Sequence, residues 1–178
     1  MGLGAMNRAR HNLSYTTLQM LYYAIIHPHI SYCLIIWGNV CKYLLEKILL
    51  LQKRAVRIIC NVPYLEHTNP LFIKTGILKM RDLYTIQVCT FMLKNKLNIL
   101  PPSCCWKYVA IADNIRCYNT RNQPQFEVVR CRTSVRENSI SYVGPKIWNS
   151  LPLEIQNCFS VGTLTRLLTK LLILNYSL

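Results

Sequence analysis

The sequence predicts a mainly α-helical fold that continues into a small mixed α+β C-terminal extension with a terminal amphipathic helix. Segments 41–60 and 160–174 place apolar residues three and four positions apart, the spacing of one helix face. Pro101-Pro102 is a strong helix break, and short β-capable stretches at 126–132 and 139–143 follow it. The predicted parts are therefore a tail at 1–12, a helical bundle at 13–100 and an Arg-rich extension at 101–178.

The first helix is predicted over 13–27. One face carries the apolar residues Leu18, Leu21, Tyr22, Ile25 and Ile26. Ser14 or Thr16 can cap its start, and Pro28 ends or kinks it. Periodicity alone fits the apolar run 29–37 to a helix or a strand, and its position after the kink favours a helix.

The stretch Asn12–Val40 contains no Lys, Arg, Asp or Glu, so it could be mistaken for a membrane span. It also contains Gln19, His27 and His29, and Pro28 interrupts the helical hydrogen bonds. Polar groups and a broken helix are costly in hydrocarbon. We therefore expect a buried helical hairpin or a kinked core helix, and membrane association is the less favoured alternative.

The clearest predicted helix is 41–60. Its apolar stripe is predicted to be Leu44, Ile48, Leu51, Ala55 and Ile58. Its basic residues, Lys47, Lys53, Arg54 and Arg57, project to the other side, and Glu46 is the only acid in the segment. The apolar side of such a helix can pack on a protein core, while its basic side can bind an anion. The alternative is an ordinary solvated face, although such faces usually mix charges of both signs.

Three further helices are predicted downstream. Asn69 and Pro70 form a helix entry and Gly76 ends that helix. Another helix runs from Arg81 to about Leu97, and Ser160 caps the terminal one. Between them, Gly144-Pro145 is predicted as a turn and Trp148 as the anchor of a small core.

The charge balance favours a polyanionic partner and argues against a metal-dependent polymerase site. The 178 residues include 21 Lys and Arg against 7 Asp and Glu, a formal net charge of +14. This surplus favours a polyanionic partner, nucleic acid or an anionic membrane surface, over a merely solubilising charge. The only aspartates, Asp82 and Asp113, are far apart, and no two acids are adjacent. Two-metal nucleotidyl transfer needs clustered carboxylates, so we expect neither a polymerase site nor a cofactor.

The nine cysteines do not form a recognisable pattern. Their number is odd, no Cys-x-x-Cys occurs, and none of the four His residues completes a zinc-binding frame. We expect reduced thiols, no metal site and a cytosolic or nuclear location. The N-terminus lacks the apolar region of a secretory signal.

Several segments occur together in a distinctive order. They are LYYAIIHPHISYCLIIWGN at 21–39, LLLQKRAVRIICNVPYLEHTNPLF at 49–72, GILKMRDLY at 76–84, YNTR at 118–121, RT at 132–133 and SISYVGPKIWNSLPLEI at 139–155. The ordered set, from about residue 13 to 172, resembles the thumb and downstream region of reverse transcriptases of non-LTR retrotransposons. The greatest similarity is to the jockey-like class of long interspersed elements.

The resemblance implies a thumb-type helical bundle that grips the template–primer duplex of an RNA-directed DNA polymerase. The Tyr-x-Asp-Asp turn of the palm is absent from the sequence, so the chain resembles a truncated, non-catalytic part of such an enzyme. The expected partners are RNA or an RNA–DNA duplex and a palm domain in trans, and no small-molecule substrate is expected.

Under this interpretation the backbone-binding residues are Lys47, Lys53, Arg54 and Arg57. In the extension, Arg121, Arg130 and Arg132 are candidates for gripping RNA, with Tyr118 or Phe126 as a stacking platform. Arg121 could equally pair with Glu127 or Glu137 inside the fold. A different class of function is a protein-interaction module that docks through exposed Leu50 and Leu45.

Overall fold

A computed structural model describes residues 2–101, 126–128 and 130–176, and helices account for 69% of these residues. The helices are α1 (Gly2–Ala9), α2 (Tyr15–Leu21), α3 (His27–Ser31), α4 (Leu34–Trp37), α5 (Lys42–Cys60), α6 (Asn69–Thr75), α7 (Met80–Lys96), α8 (Ser134–Glu137), α9 (Ile140–Asn149), α10 (Leu153–Gln156) and α11 (Val161–Leu174), with a π-helical turn at Tyr22–Ile26. The mainly α prediction is confirmed. No strand occurs in the described ranges, so the α+β character of the extension is not seen there.

Contacts divide the chain into two compact units. The first contains Met1–Tyr84 and Thr169–Leu178, and the second contains Thr85–Leu168. These bounds do not follow the expected break at Pro101-Pro102. Residues 2–9, expected to be a tail, form α1 with Met6 buried.

A π-helical turn lets the backbone pass Pro28 without ending the helix. The N–H of His27 bonds to the carbonyl of Tyr22, five residues back, and Pro28 sits in the first turn of α3. Proline has no N–H and crowds the carbonyl four residues earlier, and a widened turn relieves that crowding. The sequence correctly located the disturbance, but the helical run continues to Ser31. There Tyr32 becomes extended, and Cys33 has a positive φ before α4 begins.

Helix α5 forms where the sequence predicted it, but it buries a different face. Its buried residues are Leu45, Gln52, Ala55, Val56 and Ile59. Of the predicted stripe only Ala55 is buried, and Leu44 and Leu51 are 50% and 47% exposed. Leu45, which was expected to be exposed, is buried, whereas Leu50 is exposed.

The buried amide of Gln52 explains this orientation of α5. It donates to the Leu78 carbonyl at 2.7 Å and to the Tyr22 hydroxyl at 3.0 Å, and its oxygen accepts from the Met80 N–H at 3.0 Å. A fully buried polar group is tolerated only when it is hydrogen-bonded, and both ends of this amide are bonded. Gln52 therefore joins α5 to the π-helical turn and to the start of α7.

The C-terminal residues complete the first unit. The Tyr176 hydroxyl donates to the Asp82 carboxylate and accepts from the Lys79 N–H at 2.9 Å, while the Lys79 ammonium lies 4.1 Å from the Tyr176 ring centre. Burial is the main cause that raises the pKa of the Asp82 carboxyl, and the Tyr176 hydrogen bond opposes it.

In the second unit Trp148 is fully buried, as predicted, with the Phe126 ring edge-on at 5.9 Å. The Asn149 side chain accepts from the Phe126 N–H at 3.2 Å and donates to its carbonyl at 2.7 Å, fixing that segment. Residues 140–149 form α9, although 139–143 were predicted as β-capable and 144–145 as a turn. The buried residues Gly144, Pro145 and Trp148 lie on one face of this helix, so helical burial prevails over local β-propensity.

No helix within the described ranges is both long and apolar enough to cross a membrane. In the uncharged stretch 12–40, Met20, Tyr32 and Ile36 are 70%, 76% and 79% exposed, so the expected burial holds for only part of it.

Candidate nucleic-acid interface

The basic residues of α5 lie on the side of the helix away from its buried face. Lys47 and Arg54 are exposed, and Lys53 and Arg57 are partly exposed. At about 100° per residue, Lys53, Arg57, Arg54 and Lys47 cover an arc of roughly 120° opposite Gln52. The predicted separation of a basic from a buried side is therefore present, although the buried side differs from the prediction.

Arg54 and Arg57 converge on one aromatic ring. Their guanidinium carbons lie 5.6 Å and 5.5 Å from the centre of the Tyr64 ring. Arg54 also donates to the Tyr64 hydroxyl at 3.2 Å, and Arg57 Nε donates to the Glu66 carbonyl at 3.0 Å. Guanidinium groups stacked on an aromatic face are held in place while keeping charge and free donors.

The turn after α5 brings Tyr64 to these arginines. Asn61 has a φ of 51°, a left-handed conformation that Asn tolerates better than most residues. The Val62 N–H bonds back to the Arg57 carbonyl at 3.1 Å, so the chain reverses along the last turns of α5.

A third arginine joins the pair across a pocket of about 340 Å³. Arg10, just beyond the end of α1, lines this pocket together with Arg54, Arg57, Tyr64 and Asn7. Sequence reasoning missed Arg10 because it lies in the predicted tail, 44 and 47 residues before its partners. Only the basic character of the segment NRAR offered a signal.

The arginines of the pocket form no close ion pairs with acids in the part of the chain that the structure describes. Within the described part of the chain, no carboxylate lies within 4.0 Å of Arg10, Arg54 or Arg57. Elsewhere Arg81 and Glu46 form an ion pair at 3.9 Å between exposed side chains. Three guanidinium groups that line one pocket, and form no ion pair within 4.0 Å among the described residues, produce a positive potential that attracts anions.

The two lysines of the predicted set lie outside this pocket. The Lys47 ammonium lies 4.3 Å from the Tyr43 ring centre. Lys53 lies close enough to Lys79 to help lower the pKa of that ammonium group, for which burial is the main cause. The four predicted α5 residues are thus a pair in a pocket and two lysines spread along the same helix.

The described candidates of the extension belong to the second unit. Arg130 and Arg132 are exposed. Arg121 and Tyr118 lie outside the described residues. Phe126 is only 3% exposed against Trp148, so its ring is a core contact and not the predicted stacking platform.

The first unit also has an apolar groove of about 590 Å³, which shares Leu3 with the arginine pocket. It is lined mainly by Ile25, Ile26, Ile30, Trp37, Ile48 and Leu51. Two members of the predicted α5 stripe, Ile48 and Leu51, therefore line an open groove instead of the core.

Metal-binding side chains do not cluster in the described residues: no group of three or more His, Cys, Asp or Glu could hold an ion there. The cysteines described are all free thiols, at Cys33, Cys41, Cys60, Cys89, Cys131 and Cys158.

Comparison with known proteins finds no matching family model, no matching curated protein and no matching solved structure.

Proposed function

We propose that this chain binds the phosphate backbone of nucleic acid through the outer face of α5, as the thumb-type helical bundle of a reverse transcriptase would. The observation that carries the proposal is the convergence of Arg54 and Arg57 on Tyr64, with no carboxylate of the described residues within 4.0 Å of either guanidinium. The resemblance of the sequence to non-LTR elements supports the same partner, an RNA–DNA duplex or RNA.

The mechanism needs only positioned positive charge. Phosphate contacts fix a protein on a duplex without reading its sequence. Arg54 and Arg57 are oriented by Tyr64 and the Glu66 carbonyl, and arginine's forked donors match two phosphate oxygens at once. Lys47 and Lys53 extend the charge along the helix.

The test is a salt titration of binding to a blunt RNA–DNA duplex with hydroxyl ends. Each neutralised phosphate contributes about −0.9 to the slope of log affinity against log salt. The triple variant Lys53→Ala, Arg54→Ala, Arg57→Ala should flatten that slope by about 2 to 3 and weaken binding at low salt.

The matched control removes the same charge elsewhere, through Arg136→Ala, Arg166→Ala and Lys170→Ala, all exposed side chains. The control should keep most of the wild-type slope. Equal slopes for the two triple variants would show that net charge, and not the α5 face, governs binding.

A second candidate function, docking on a palm domain in trans, is favoured by the apolar groove. It predicts that Ile48→Asp abolishes association with a separately expressed palm domain and leaves duplex affinity unchanged. If Ile48→Asp does not weaken that association, the groove is not the docking surface.

A further inference from the structure

We infer that the pocket formed by Arg10, Arg54, Arg57 and Tyr64 binds a terminal phosphate monoester, as found at the end of a nucleic-acid strand or on a free mononucleotide. This inference deepens the proposed function, because two of its arginines belong to the basic face of α5. It adds a specific ligand group and the residues Arg10 and Tyr64.

The arrangement of charge distinguishes a strand end from a continuous duplex. A duplex spreads its phosphates, with one negative charge per about 1.7 Å of axis, and cations spaced along a helix match it. Three guanidinium groups around one pocket instead match a single group that carries more than one charge. A phosphate monoester carries about −1.5 to −2 at neutral pH, whereas an internal phosphodiester carries only one charge.

The donors of the arginines remain available to such a ligand. Arg57 uses Nε on the Glu66 carbonyl, and Arg54 uses one Nη on the Tyr64 hydroxyl. Arg10 bonds through Nε to the neighbouring His11 at 3.0 Å. A guanidinium has five N–H donors, so every arginine keeps several for phosphate oxygens.

The size of the pocket and its remaining lining residues also fit a nucleotide phosphate. Its volume of about 340 Å³ is at the lower end of small-ligand sites, enough for a phosphate with its nucleoside. Ile58 and Val62 give it an apolar wall, and Asn7 adds an amide. An apolar wall beside cationic donors suits a nucleotide better than a bare inorganic anion.

The experiment compares a short oligouridylate carrying a 5′-phosphate, a 3′-phosphate or neither, with the full chain at fixed salt. The wild-type protein should bind a phosphorylated strand about ten-fold more tightly, the factor expected for about one charged hydrogen bond. Arg10→Gln should remove this preference. The control Arg8→Gln removes the same charge from the last turn of α1, outside the pocket, and should keep it.

Competition with uridine monophosphate against uridine separates the two sources of the phosphate. Displacement by the nucleotide alone indicates a mononucleotide site, and no displacement by either indicates a strand-end site. Both results support the inference when phosphorylated strands are preferred.

The inference is overturned if all three oligonucleotides bind equally, or if Arg8→Gln and Arg10→Gln reduce the preference alike. The hydroxyl-ended duplex titration tests the proposed function separately, because its ligand has no terminal phosphate.

Discussion

The side-chain amide of Gln52 donates a hydrogen bond of 3.0 Å to the Tyr22 hydroxyl, and both side chains are completely buried. Burial raises the pKa of the Tyr22 phenol to about 12, so the hydroxyl is protonated at neutral pH. This polar pair lies inside the first unit, where the other two bonds of Gln52 reach Leu78 and Met80.

Replacing Gln52 by Leu is expected to lower the free energy of unfolding by about 3 kcal/mol. The Met80 N–H and the Leu78 carbonyl would stay buried without partners, and each such group costs about 1–3 kcal/mol. Urea denaturation followed by circular dichroism measures the change. Tyr22→Phe, which removes one partner only, should cost about 1 kcal/mol. Wild-type stability in Gln52→Leu would contradict the buried hydrogen-bond network.

Leu51→Ala is expected to cost less than about 1 kcal/mol, because this side chain is already 47% exposed at the groove. This corrects the expectation from the α5 stripe, which placed Leu51 in the core. Leu93→Ala, at a position that is completely buried in α7, should cost about 2–5 kcal/mol. Thermal or urea unfolding of the two variants side by side measures the difference, and equal losses would place Leu51 in the core after all.

Gly38→Ala should destabilise the fold by about 1–3 kcal/mol through overpacking. A methyl group at this position would overlap the Tyr84 ring and meet the Leu34 carbonyl oxygen. Gly4→Ala is the matched control, since a Cβ there has no neighbour within 4 Å. Differential scanning fluorimetry of both variants checks this, and a melting temperature for Gly38→Ala no lower than that of Gly4→Ala would refute the close approach.

His27 should make the first unit sensitive to pH. Burial lowers the pKa of its imidazole below the ordinary 6.5, and the Tyr23 ring lies 5.3 Å away. The unfolded chain then takes up a proton at a higher pH than the folded chain does. The part of the unfolding free energy that is linked to His27 is therefore fully present above pH 6.5. It is lost as the pH drops from 6.5 through the folded-state pKa.

The measurement for His27 is the free energy of unfolding of wild type and His27→Gln between neutral pH and about pH 5. The variant should show the shallower decline, while His29→Gln, at an exposed position, should follow the wild type. If the unfolding free energies of wild type and His27→Gln decline in parallel with pH, His27 is not the cause of the pH dependence.

Sequence reasoning located most helices because their ends carry strong local signals. Pro70 stands in the first turn of α6, Gly76 follows its end with a φ of 65°, and α11 begins directly after Ser160. Such signals depend on a few neighbouring residues, so they hold whatever tertiary contacts the rest of the chain makes.

The orientation of α5 could not be predicted in the same way. The run Ile48–Leu51 is apolar on every side, so periodicity does not select one face. The selection comes from Gln52, whose partners Leu78 and Met80 lie 26 and 28 residues further along the chain. Arg10 could not be predicted either, because it shares a pocket with Arg54 only through the tertiary packing of α1.

The π-helical turn at Tyr22–Ile26 makes chain length, more than residue identity, the sensitive property of this segment. Deleting a single residue there would restore ordinary α-helical spacing, in which the Pro28 ring again crowds the carbonyl four residues before it. An in-frame codon loss should therefore be far more damaging here than a conservative exchange.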